Sequence, residues 1–174
     1  MKAIFAAVIA SIFGVAPATA ASAAPTTVTH PQWSRNAVIY EVNVRQYTPE
    51  GTFKAFARHL PRLRDLGVDI LWLMPIHPIS EEGRKGTLGS YYAVRDYYGV
   101  NPEFGTMYDM CPLVDSIHAY GMHVIIDWVP NHTGCDNVWV KTHPEYYARN
   151  AKGEMYGPYD WTDVYKLDYK NPAT

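Results

Sequence analysis

Residues 121–132 read GMHVIIDWVPNH: a glycine, an apolar and largely β-branched run from Met122 to Val129, then Pro130, Asn131 and His132. Branched and aromatic side chains suit a pleated, half-buried surface, so Met122 to Val129 is predicted to be a strand, with Gly121 closing whatever precedes it. Asp127 stands directly after Val124-Ile125-Ile126. A carboxylate at that point is costly to bury unless donors meet it, so it reads either as a structural anchor or as part of a polar site. His132 taken alone reads as a structural histidine.

Upstream, the same alternation repeats. Ala37 to Val44 (AVIYEVNV) is predicted as a first strand, followed by a turn through Thr48-Pro49-Glu50-Gly51. Phe53, Phe56, Ala57, Leu60, Leu63 and Leu66 recur at helical spacing up to Gly67, and Pro61 inside that pattern predicts a kink or a fresh start. Val68 to Met74 (VDILWLM), nearly continuous in apolar residues, is a second strand of the kind covered on both faces. Ile79 to Gly105, with Gly83, Gly86, Gly89 and Gly99 among its tyrosines, is expected to be a long irregular loop. Thr106 and Asp109 form a capping box for a helix to about Tyr120, with Leu113, Val114 and Ile117 on one side; Pro112 argues that the helix begins two or three residues later than the box.

Strand, helix, strand, helix, strand with crossovers of this length implies parallel βαβ units and an α/β fold. In such folds ligand-binding residues gather at the carboxyl ends of the strands. The tips here are Asn43 to Tyr47, Met74 to His77 and Asp127 to His132. After Asn131 the pattern breaks into short pieces rich in Gly, Pro, Tyr and Asp, expected to be a long excursion with a purpose of its own.

At the other end, Lys2, the apolar stretch Ala3 to Val15 and small-residue cleavage patterns near Ala20 and Ala23 read as an export signal over 1–23, implying a periplasmic or secreted protein with no membrane insertion once it is removed. Residues 24–35 read as an N-terminal arm. A formal charge of -2, from 15 basic and 17 acidic residues without runs of either sign, argues against a nucleic-acid partner. The 14 Tyr and 5 Trp suit a surface that stacks sugar rings, although each one alone reads first as structural. Cys111 and Cys135 could be bridged outside the cell, but two independent cysteines are the simpler reading. The oligomeric state is open.

The run Gly121 to His132 closely resembles the first signature segment of the α-amylase superfamily, glycoside hydrolase family 13. IYEVNVRQY (Ile39 to Tyr47), LRDLGVDILWLMPIHP (Leu63 to Pro78), GSYYAVRDYYGVNPEFGT (Gly89 to Thr106) and YKLDYKNP (Tyr165 to Pro172) resemble further segments of that family, in its order. The resemblance implies an incomplete TIM (β/α)8 barrel, with strands 1–3 within residues 36–130 and a subdomain B-like insertion after strand 3 over residues 131–174. It implies an α-glucan or maltooligosaccharide as partner. Tyr92, four residues before Asp96, matches a tyrosine that stacks under the sugar beside the scissile bond; Asp127 matches an aspartate that props the pocket; His132 matches a histidine that hydrogen-bonds a hydroxyl of that sugar.

Asn131 matches a ligand of a structural Ca2+ in calcium-containing relatives. Lys166 stands where many of them carry an acid, and an ammonium there argues against the ion. Asp163 and Asp168 offer nearby oxygens, but read as turn or solvent-facing residues. No cofactor is required by this reading. Glycosidic cleavage needs two flanking carboxyl groups, which the family takes from later strands. Asp136, Glu145, Glu154, Asp160, Asp163 and Asp168 match none of them, so the chain reads as a fragment of a hydrolase, inactive alone. Relatives with a similar front part include α-glucosidases, branching and debranching enzymes and trehalose-forming isomerases; a non-catalytic glucan-binding protein is the alternative of another class.

Overall fold

The computed structural model describes residues 28–174; the expected export signal over 1–23 and the first residues of the expected arm lie outside them. Three parallel strands, β1 (Ile39–Val42), β2 (Ile70–Leu73) and β3 (His123–Ile126), pair in the order β1-β2-β3. The register sets Tyr40, Leu71 and Val124 side by side, then Val42, Leu73 and Ile126. All three strands are shorter than the apolar runs that announce them. After β1 the chain turns at once into a single helical turn, α1 (Val44–Tyr47).

Helices cover one face of this sheet. Pro61 does mark a fresh start: α2 (Phe53–Ala57) stops, and α3 (Leu60–Asp65) begins with the proline in its first turn, where a missing N–H costs nothing. Phe53, Phe56, Leu60 and Leu63 from these helices, Met110, Leu113 and Ile117 from α4 (Met107–Ala119), and Val42, Leu71 and Leu73 from the sheet form the buried core. Leu66, which fits the helical spacing, is instead 61% exposed, because the helix ends at Asp65 and its neighbour turns outward.

Pro112 does not delay α4, contrary to the sequence expectation. The Asp109 carboxylate accepts from both the N–H and the hydroxyl of Thr106, each at 2.8 Å, so the helix begins at its box. Proline here removes only the bond to the Tyr108 carbonyl, and Tyr108 is 91% exposed, so water can replace it.

The opposite face of the sheet, carrying Ile39, Glu41, Trp72 and Ile125, has no helix over it among the described residues, and Ile39 and Ile125 are 55% and 46% exposed. The arm reaches one end of it: Gln32–Ser34 form a 310 turn, and Trp33 stacks on His123 with ring centroids 3.7 Å apart. The arrangement is a partial parallel sheet with its outer helices, the architecture of an incomplete (β/α)8 barrel. No helix among the described residues is long and apolar enough to cross a membrane.

The excursion after β3 has a sheet of its own. β4 (His132–Gly134) pairs antiparallel with β5 (Val164–Lys166), with His132 opposite Lys166, and α5 (Val138–Thr142) lies between them in sequence. The polar-aromatic composition of this segment hid those two short strands.

Candidate functional site

The site is built where the loop after β2 meets the tip of β3. That loop is irregular but tightly held: the Ser80 N–H donates to the Ala93 carbonyl at 2.8 Å, the Arg95 N–H to the Pro78 carbonyl at 2.8 Å, and Ile79 bridges Val94. The excursion then docks on it. The Gly134 N–H and the side-chain amide of Asn137, itself only 1% exposed, both donate to the Val94 carbonyl, at 2.8 and 3.0 Å. A side chain at Gly134 would place its Cβ 2.5 Å from that of Ser80, so only glycine allows so close an approach. Tyr97 completes the stitching, donating to the Val129 carbonyl at 2.7 Å; its burial raises the phenol well above its ordinary value, so it stays a donor.

This scaffold brings Tyr92, Asp127 and His132 together. The Tyr92 hydroxyl donates to Asp127 Oδ2 at 3.0 Å, joining the loop to the strand tip across 35 residues of sequence. Burial raises the Tyr92 phenol, and the hydrogen bond to Asp127 and its charge add to that, so the proton stays on the tyrosine. Asp127 therefore has the donor that the sequence reading demanded of it. Its own N–H donates to the Leu73 carbonyl at 2.9 Å, which fixes the strand end.

His132 begins β4 and is 7% exposed. Burial lowers its imidazole below the ordinary value, partly offset by a backbone contact with Tyr92 and the charge of Asp163. A neutral ring results, able to give one hydrogen bond and take another. Asn131 lies beside it, its amide nitrogen 2.9 Å from His132 Nδ1.

Tyr92 and His132 share a pocket of about 300 Å³ with Lys85, Trp161 and Asp163. The size is at the low end of the roughly 300–1,000 Å³ common for small-molecule sites. Asp163 is the correction here. It is 4% exposed rather than solvent-facing, because the segment before β5 folds inward and Lys85 meets its Oδ1 at 3.2 Å. Asp168 does behave as a turn residue, its Oδ1 accepting from the Lys170 N–H at 3.1 Å. Lys85 and Trp161 carried no signal in the sequence, since they sit in irregular segments without periodicity.

Among the described residues no three His, Cys, Asp or Glu side chains gather to hold a metal, and Lys166 sits directly across the ladder from His132. Cys111 and Cys135 are free, the first exposed on α4 and the second buried. Burial pushes the Cys135 thiol up to about 11, so it is an inert packing group.

Comparison with known proteins agrees with this architecture. Residues 19–171 match the family described as alpha amylase, catalytic domain. An alpha-amylase from Lactobacillus plantarum superposes with a TM-score of 0.78 at 48% identity, covering 80% of this chain and 33% of that one. A maltogenic alpha-amylase from Thermotoga neapolitana gives 0.75 at 42% identity, covering 79% of this chain and 33% of that one. A trehalose synthase from Thermus thermophilus is 37% identical over 141 residues, covering 77% of this chain and 13% of its own length. The chain thus spans a third or less of these relatives.

Proposed function

This chain belongs to the alpha-amylase catalytic-domain family of glycoside hydrolases, and on that premise we propose that it forms part of the sugar-binding face of an enzyme acting on α-glucans such as starch and maltooligosaccharides. In this reading the Tyr92 ring covers the apolar C–H face of one glucose unit, and neutral His132 exchanges hydrogen bonds with its hydroxyls. Asp127 acts as a brace. By accepting the Tyr92 phenol it fixes the angle of the ring without joining the chemistry.

The observation that carries the proposal is the Tyr92 to Asp127 hydrogen bond of 3.0 Å beside buried His132, which supplies an aromatic platform and polar groups in one pocket. Three acids of the excursion have local partners: Asp136 accepts from the Glu81 N–H, Glu145 pairs with His143, and Asp163, within the pocket, pairs with Lys85. We therefore assign the cleaving carboxylates to parts of the enzyme other than these residues. Export and the absence of a bound Ca2+ at Asn131 belong to the same proposal.

Titration with maltotriose tests the sugar site. A saturable change in tryptophan and tyrosine fluorescence is expected, weakened roughly tenfold in Tyr92→Ala, since about 1.4 kcal/mol corresponds to that factor. Absence of any saturable response would overturn the reading.

A further inference from the structure

A separate pocket, of about 450 Å³, opens in the excursion and shares no lining residue with that of Tyr92 and His132. Three extended pieces of chain build it. Tyr147 pairs with Leu167, Arg149 pairs with Met155, and the Lys166 N–H donates to the Tyr156 carbonyl at 2.9 Å. Side chains alternate between faces in extended backbone, so Lys166 and Asp168 share a face, with buried Leu167 between them. Lys170, Arg149 and the rings of Tyr156 and Tyr169 complete the lining.

Three cations and one carboxylate meet there, yet the carboxylate answers none of them. Asp168 Oδ1 accepts from the Lys170 N–H at 3.1 Å, which ties it into a turn. Among the described residues Arg149, Lys166 and Lys170 form no ion pair. The Arg149 guanidinium is held by carbonyls instead, Nη1 donating to Gly153 at 2.8 Å and Nη2 to Pro144 at 3.5 Å, and it has further N–H donors to offer. Gathering like charges costs free energy, and more so at half-buried Lys166, where solvent and salt screen less. The chain as a whole carries a formal charge of -2, so this concentration of positive charge is local.

We propose that Arg149, Lys166 and Lys170 form a phosphate-binding site, taking that group either as the free ion or as its ester on a sugar. A tetrahedral phosphate presents oxygens to the planar fork of an arginine and to the point charges of two lysines at once. The rings of Tyr156 and Tyr169, 38% and 60% exposed, supply walls against which the ring of a sugar ester can lie. The site stands independently of the sugar-site reading above.

The test is calorimetric titration of the full chain with inorganic phosphate at low ionic strength, in the wild type and in Lys170→Met, Lys166→Met, Arg149→Met, Arg35→Met and Tyr92→Ala. Arg35 follows the 310 turn of the arm, whose Trp33 packs at the start of β3 while the excursion leaves its tip, so Arg35→Met removes one charge without touching the pocket. Lys170 and Arg149 are exposed, and their variants should keep the wild-type melting temperature, which is measured alongside. Saturable phosphate binding is expected, weakened at least about fivefold in each of the three pocket variants and unchanged in Arg35→Met and Tyr92→Ala. Glucose 1-phosphate then separates the two sources: tighter binding than inorganic phosphate identifies the sugar ester, and affinity no greater identifies the free ion. No saturable binding of phosphate would overturn the site. Equal weakening in Arg35→Met would overturn it too, since the effect would then belong to the charge of the whole chain.

Discussion

His132 shows how burial sets the chemistry of one side chain. Its imidazole is held below the ordinary 6.5, chiefly by burial, so between that value and its lowered folded value the unfolded chain binds more protons than the folded one. Stability from this residue is therefore present above 6.5 and is lost as the pH falls through the lowered value. Thermal unfolding followed from neutral pH to about pH 5 should show a midpoint that falls on acidification, and His132→Gln should flatten that part of the profile. An unchanged slope in the variant would assign the acid sensitivity to other groups. Tyr92 illustrates a related point: Asp127 accepts its hydroxyl and so holds the orientation of its ring.

Among the elements, β4 depends on a backbone approach that a side chain would block. Gly134 lies against Ser80 and the Ala93 carbonyl, where an added Cβ would sit 2.5 and 3.1 Å from the nearest atom of each. Gly134→Ala should destabilise the chain by about 1–3 kcal/mol, the cost of overpacking a well-filled site. Urea unfolding would measure it. Because the closest atoms belong to Ser80, combining the change with Ser80→Gly should recover part of the loss, and strict additivity of the two would show that the clash is not the cause. The element β4 also explains why the excursion is ordered at all: its partners are the loop after β2 and β5, so three irregular-looking segments become one scaffold.

For the molecule as a whole, the sheet face bearing Ile39, Trp72 and Ile125 has no layer above it, and the outer edges of β1 and β3 pair with no other strand among the described residues. Exposed apolar area and open edges favour association. The isolated chain should enhance the fluorescence of a hydrophobic dye and scatter light increasingly with concentration, and Ile125→Ser together with Ile39→Ser should reduce both. A dye-silent, monomeric chain would mean that this face is covered in solution. The same incompleteness bears on activity. Incubated with starch or maltooligosaccharides, the 174-residue chain should release no more sugar than a boiled control, since Glu145 and Asp163 are held in local pairs and Asp168 in a turn. Release above that control would place a working carboxylate pair within these residues.

The alternation of strands and helices, a kink or fresh start at Pro61, the strand tips and the need of Asp127 for a donor followed from the sequence itself, whereas the roles of Asp127 and His132 in a sugar site came only with the family resemblance. The former depend on local rules: side-chain period, backbone restriction at proline, and the cost of a carboxylate beside an apolar run. Tertiary structure alone decided that Asp163 is buried against Lys85, that Trp161 meets His132, that Leu66 faces solvent and that β4 pairs with β5. Those outcomes join irregular segments far apart in the chain, where no periodicity reports which side chain faces which, and only the packing of one loop on another settles the contact.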